Sequence, residues 1–446
     1  MRHQDPHTLT EDDRTRLATH ATRLLAAGAA HTGEETGHER GSGGAGAALT
    51  AAAVTGAAET GQAGHAGKRG PLFEPGDPGV PVLCALVAST SRDPEEQETA
   101  ARAAVVWARS AGRGRGHPGL YDGGLAGTLV GLRMCARIHP ALGPVAEQLA
   151  ARLAARVAEA RTRPPGAVAP GVTFPDYDLV LGPSGTLLAL CAGSDPEPAQ
   201  LTPLVRRLVH LSAGEGLPGL RAAYAGHPHL DWLDGCVNTG MAHGVAGIAA
   251  ALTAALRRPG QAPEGAAGAL RALGSWLTRE ALADARSVVT WDGAGSDGRL
   301  PVPGERPRQA WCYGTPGISW ALWDAADALG DRAGATFAAE AFTSLAERYD
   351  TGFHLLGSHP ADRLGLCHGA SGVLAVADAF HRHARLPAAT ALRARLLTYL
   401  GERLTDLDSL AGEHTSLLTG ATGAWSALLT VGADGDRGWL PCLGLR

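Results

Sequence analysis

Two short stretches carry the residue types best suited to chemistry. Trp311-Cys312-Tyr313-Gly314-Thr315-Pro316-Gly317 and Leu366-Cys367-His368-Gly369-Ala370-Ser371-Gly372 each place a cysteine just ahead of a Gly-x-x-Gly step, and the second adds a histidine beside its cysteine. Two thiolates and one imidazole are soft or borderline ligands; they suit zinc and leave one tetrahedral position open. An open position separates a working zinc from a structural one. Two thiolates formally cancel the charge of the ion, so a further, incoming thiolate would stay deprotonated at neutral pH yet remain nucleophilic. Hydrolytic zinc sites prefer His₃ or His₂Glu, so the ligand types lean towards thiol activation over water activation, although Cys₂His also occurs in alcohol dehydrogenases.

Residues this far apart need a scaffold that brings them together, and the sequence supplies a repeat. Gly-x-x-Gly steps begin at Gly124, Gly182, Gly244, Gly314, Gly369 and Gly420, and each opens an apolar, helix-forming run. They recur roughly every 50 to 70 residues, the period of a helical-hairpin array. Between them lie more charged, amphipathic runs, such as Val145 to Arg161, Pro203 to Ala213, Glu264 to Ala283 and Ala388 to Leu404. No stretch shows the short alternation of a sheet. One such step is weak evidence in a chain with 61 glycines; six at steady spacing are not. Small residues at these positions let neighbouring inner helices approach closely. Closing the array into a ring would bury every inner helix and gather the Gly-x-x-Gly turns at one end. The expected fold is therefore all-α: an α/α toroid of six to seven helical hairpins, the seventh a less regular one near the N-terminus.

On that toroid His243 directly precedes the third step, and Asp178 lies four residues before the second. Both would converge with Cys312, Cys367 and His368 at one end of the barrel. Taken singly, each has an ordinary explanation: a buried cysteine, one of 18 histidines, a helix-capping aspartate. The shared position in the repeat is what sets them apart.

Ahead of the repeats, Thr10 caps a helix that should run to about Ala27. Residues 28–70 are rich in Gly and Ala and read as a flexible segment, with a weak helix from Ala47 to Ala58. The toroid occupies 71–446 and opens on Asp93-Pro94-Glu95, a cap and N1 proline for a helix to about Ser110. The net charge of -5 points to neither nucleic acid nor a membrane surface. No run approaches the ~18 apolar residues of a membrane span, and residues 1–6 lack the core of a secretory signal. These features predict a soluble, cytoplasmic protein. Its seven cysteines form no disulfide framework.

Tyr177-Asp178-Leu179-Val180-x-Gly182-x-x-Gly185, Ala242-His243-Gly244-x-x-Gly247, Arg308-x-x-Trp311-Cys312-Tyr313-Gly314 and Cys367-His368-Gly369 together resemble the motif series of the lanthionine synthetase C-like family. The resemblance runs from about Gly119 to the end of the sequence and implies a zinc enzyme on an α/α toroid. It would add cysteine thiols of a ribosomally made precursor peptide to dehydroalanine or dehydrobutyrine, giving lanthionine or methyllanthionine thioether rings. Carried over by motif, Cys312, Cys367 and His368 bind zinc, and the substrate cysteine displaces a water from the fourth position. His243 protonates the enolate carbon, Asp178 holds the imidazole or assists proton transfer, Arg308 steadies the enolate oxygen, and Tyr313 hydrogen-bonds nearby.

No dehydratase-like or kinase-like region is present, so the resemblance implies a stand-alone cyclase fed by a separate dehydratase, with an exporter as a further partner. Three rivals remain open at this point. Intermolecular addition of glutathione or another thiol uses the same chemistry, though the Ala/Gly/Arg-rich composition of a GC-rich bacterial gene favours peptide cyclisation. A zinc prenyltransferase would want an aromatic-lined lipid pocket, and 5% of these residues are aromatic. A non-catalytic peptide-binding scaffold would close the fourth zinc position.

Overall fold

The structure, a computed structural model, describes residues 9–35, 73–160, 171–192, 196–258, 263–295 and 307–446. The chain opens with α1 (Glu11–Glu35) and continues in inner and outer pairs: α2 (Gly79–Thr90) with α3 (Pro94–Ser110), and α4 (Leu125–Ala136) with α5 (Gly143–Ala160). Then come α6 (Pro183–Cys191) with α7 (Pro198–Leu211), and α8 (Val245–Leu256) with α9 (Ala266–Arg279). The last are α10 (Thr315–Leu329) with α11 (Arg332–Arg348), α12 (Ala370–Ala379) with α13 (Pro387–Gly401), and α14 (Leu404–Ala411) leading into α15 (Ala421–Gly432).

The first members of these pairs are apolar on every side, and a helix of that kind is stable only when surrounded. Each packs on the next, α2 to α4, α6, α8, α10, α12 and α15, and α15 returns to α2 to close the ring. The outer helices bury one stripe each; in α7 it is Leu201, Leu204, Val205, Leu208 and Leu211. A fully buried leucine of this kind contributes roughly 1.5–3 kcal/mol. The architecture is the expected α/α toroid.

The seventh pair is assembled from the two ends of the sequence. α1 packs against α3 and α15, so it serves as the outer helix of the last inner helix. Thr10 caps it, its hydroxyl accepting from the Asp13 N–H at 3.1 Å. The helix runs past the expected end at Ala27 to Glu35, and the residues it buries in the core are Leu17, Ala18, Ala21, Leu24 and Leu25. Gly28 does not stop it: that glycine lies flat against the Phe73 ring, where a Cβ would not fit. The predicted Ala47 to Ala58 helix lies outside the described residues.

Two other boundaries differ from expectation. α7 starts at Pro198 on a Glu197 capping box, with Pro203 inside the helix and not at its start. α9 ends at Arg279; Leu282–Ala283 instead pairs antiparallel with Val289–Thr290 in a small two-stranded ribbon.

The Gly-x-x-Gly steps have a more local cause than helix approach. At Gly317 a Cβ would overlap the carbonyl oxygen of Trp311, and at Gly372 that of Leu366, so the turn before each inner helix folds down onto the helix's own first turn. The neighbouring repeat forms the next layer: Met241 Cβ stands 3.0 Å from the Gly317 position, and Trp311 Cβ 2.9 Å from the Gly372 position.

Candidate metal centre

Folded down in this way, the turns are stitched to one another by backbone hydrogen bonds that run around one end of the ring. Tyr121 N–H donates to Val180 at 3.1 Å, Leu179 to Ala242 at 3.0 Å, and Met241 to Cys312 at 2.8 Å. Cys312 N–H donates to Cys367 at 3.3 Å, and Cys367 to Leu418 at 2.8 Å. At the closure the buried Asp77 carboxylate stands in for a carbonyl, accepting from Leu417 N–H at 2.9 Å and Gly79 N–H at 2.8 Å. This ladder is why residues from successive repeats meet.

Cys312, Cys367 and His368 offer ligand atoms that all lie within 4.8 Å of one another, a group able to hold a metal ion. Cys312 is buried and the other two are half-buried. Burial resists ionisation of Cys312, but hydrogen bonding with Cys367, the charge and hydrogen bond of His368, and the charge of Arg308 outweigh it and bring the thiol well below its ordinary value. For His368 burial acts downwards, yet the charge of Cys312 and the nearby Asp362 carboxylate and Cys312 sulfur lift the imidazole to about 9. A metal ion bound by these three side chains would take the place of their protons, which is how such donor sets bind. The residues present fit that role.

Asp362, from a short helical segment Pro360–Leu364, lies 3.7 Å from His368 Nδ1. An outer carboxylate beside a ligand histidine fixes its ring orientation. The Arg308 side chain adds a guanidinium whose Nη1 is buried without a hydrogen-bond partner among the described residues. An unpaired buried donor is costly unless a ligand oxygen completes it.

A second group is built on the adjacent turns. His243 Nδ1 meets Asp178 Oδ2 at 2.6 Å, while Asp178 Oδ1 accepts from the N–H groups of Leu181 and Gly182, each at 2.7 Å. Burial raises the Asp178 carboxyl above its ordinary range, with the hydrogen bond and charge of His243 and the two backbone N–H groups acting against it. The His243 ring stacks on Phe174 with centroids 4.2 Å apart, and its carbonyl accepts from Tyr177 Oη at 2.8 Å. The imidazole is therefore held at one nitrogen, one face and its backbone.

Tyr313 stands electrostatically between the two groups. Burial raises its hydroxyl, Asn238 donating to it at 2.8 Å lowers it, and the charges of Cys312, Cys367 and Asp178 raise it again. Asn238, Phe174 and Asp362 had no place in the sequence reading. None of the three falls within the quoted motifs; Phe174 comes nearest, three residues ahead of Tyr177.

A model of the lanthionine synthetase C-like protein family matches residues 75–443. Among curated proteins the chain is 28% identical, over 226 residues, to the nisin biosynthesis protein NisC of Lactococcus lactis subsp. lactis. That alignment covers 47% of this chain and 50% of the relative, so it spans about half the relative's length. Among solved structures, a nisin cyclase superposes with a TM-score of 0.69 at 20% identity, covering 84% of this chain and 91% of the other. At that identity the likeness is one of fold. Among the described residues, no helix is long and apolar enough to cross a membrane.

Proposed function

The chain belongs to the lanthionine synthetase C-like family, and on that premise we propose that it is a zinc-dependent cyclase, adding cysteine thiols of a dehydrated precursor peptide to dehydroalanine or dehydrobutyrine. The observation that carries the reading is the grouping of Cys312, Cys367 and His368 within 4.8 Å, from two different repeats, beside a separate buried His–Asp pair. Zinc held by Cys312, Cys367 and His368 supplies Lewis acidity that keeps a substrate thiol ionised at neutral pH.

The remaining chemistry falls to side chains of this chain. The sulfur lone pair forms a bond to the β-carbon, the alkene electrons move onto the carbonyl oxygen, and the α-carbon then takes a proton. No group leaves, so the peptide keeps its mass. His243 delivers the proton from Nε2, with Asp178 holding Nδ1 and steadying the imidazolium before transfer. The unpaired Arg308 Nη1 donates to the enolate oxygen, where charge develops. Tyr313, oriented by Asn238, lies within the field of both groups and helps orient the substrate. The partners implied are the dehydrated peptide and a separate dehydratase that produces it.

The test is to mix zinc-loaded protein with a dehydrated cysteine-containing peptide and follow thiol alkylation by mass. Loss of alkylation at unchanged peptide mass supports ring closure. Addition of glutathione mass instead assigns intermolecular thiol transfer, and persistent alkylation with every dehydrated partner rejects the cyclase reading.

A further inference from the structure

The segment Trp439–Arg446 forms a plug among the inner helices of the ring, with Trp439, Leu440, Cys442, Leu443 and Leu445 all buried. Trp439 enters near the far end, its Nε1–H donating to Thr430 Oγ1 at 2.9 Å in the last turns of α15. A short helical turn, Leu440–Leu443, carries the chain up to the level of the inter-turn ladder. There Tyr121 Oη donates to the Cys442 carbonyl at 2.7 Å and Trp311 Nε1–H to the Leu443 carbonyl at 2.8 Å.

The segment then turns back along α10. Trp320 Nε1–H donates to the Gly444 carbonyl at 2.9 Å, and Arg446 reaches Asp324 at 2.7 Å and Asp327 at 3.0 Å. Gly444, at φ +65, has no room for a side chain against Ala250 of α8. The plug therefore touches several repeats at once and ties them through its carbonyls.

One of those bonds reaches the metal centre. Trp311 immediately precedes Cys312, and its indole N–H, the only polar atom of that side chain, is spent on Leu443. On its other side Trp311 packs its Cβ over Gly372, in the first turn of the helix that follows Cys367 and His368. Trp311 is thus clamped between the plug and the repeat carrying the other two donors. We infer that the Trp439–Arg446 segment is a positioning element of the metal centre, acting through Trp311 to hold Cys312 at coordinating distance from Cys367 and His368. This rests on the metal reading above, but not on cyclase activity.

The experiment measures zinc affinity by chelator competition and the visible spectrum of the cobalt-loaded protein, for full-length wild type, Trp311→Phe, deletion of residues 443–446, and the two changes combined. Trp311→Phe keeps an aromatic ring at the position but removes the indole N–H together with part of the buried bicycle. The expected result is zinc held roughly ten- to hundred-fold more weakly, with altered cobalt bands, the size of effect seen when outer-shell support is lost. The double variant should be no weaker than the deletion alone, since the deletion already removes the acceptor of the Trp311 bond along with the Gly444 and Arg446 contacts. Should the deletion unfold the chain, Trp311→Phe alone decides. Wild-type affinity and spectrum in a folded Trp311→Phe protein overturn the inference, as do additive losses in the double variant. Failure of wild-type protein to bind zinc overturns the metal reading itself.

Discussion

The carboxylate of Asp178 sits 2.6 Å from Nδ1 of His243, although 65 residues separate them in sequence. Its other oxygen is occupied by two backbone N–H groups. On the proposed mechanism the aspartate has one task, to accept from the imidazole and leave Nε2 for the substrate.

Asp178→Asn tests that task. The amide oxygen would keep the backbone N–H groups, turning its NH₂ towards His243 and inverting the tautomer. Ring closure should slow by roughly 10²–10⁴-fold, the range of a general acid–base contribution, while zinc content and melting temperature hold. Unchanged turnover would remove the pair from the mechanism; loss of zinc would make it structural support for the metal.

Arg308 makes a separate prediction. Its buried Nη1 has no partner among the described residues, which suits a group waiting for a developing oxyanion. Arg308→Gln should lower kcat by about 10²–10³-fold with metal stoichiometry intact. A fall in zinc affinity alone would mean that its positive charge serves the two cysteines, which it also favours in the ionised form.

The turn geometry is testable through two glycines. Gly317→Ala should destabilise the fold by about 1–3 kcal/mol, because the new methyl meets the Trp311 carbonyl next to Cys312. Gly268, in α9, has nothing within 4 Å of its would-be Cβ. Gly268→Ala should therefore raise stability by roughly 0.5–1 kcal/mol. Denaturant midpoints of the two variants measure both signs at once.

Asp77 predicts a pH dependence of stability. Burial, then the charge of Glu74, lift its carboxyl from 3.8 to about 8, against the hydrogen bonds from Gly79 and Leu417. Between those values the folded chain keeps a proton that the unfolded chain has released. Stability from this group is thus complete below about pH 4 and is lost as pH rises towards 8. Asp77→Asn keeps an acceptor for both N–H groups without the charge. Its melting temperature should exceed that of wild type at pH 8, with the gap narrowing towards pH 4; a constant gap would contradict the assignment.

The ring and six of its inner helices were legible because six repeats announce themselves: Gly-x-x-Gly, then an apolar run. The proximity of Cys312 to Cys367 and His368 followed from the same periodicity, since each precedes the first glycine at nearly the same offset. Features built from sequence-distant pieces were not legible. α1 serves as the outer helix of α15, a pairing between opposite ends of the sequence that no local pattern encodes. The Trp439–Arg446 plug reads as an irregular tail until its carbonyls are seen to meet Tyr121, Trp311 and Trp320. Asn238 and Asp362 support neighbours in three dimensions and carry no motif of their own. Gly28, read as the start of a flexible stretch, sits within α1 because Phe73 needs the space.

The most direct test of the account is X-ray absorption at the zinc edge, on protein loaded with zinc and then mixed with a dehydrated cysteine-containing peptide. The account predicts a first shell with two sulfurs from Cys312 and Cys367, gaining a third sulfur when peptide is added, and losing the metal in Cys312→Ala or Cys367→Ala. A shell already filled by protein ligands and unchanged by peptide, or zinc retained after both cysteines are replaced, would contradict it.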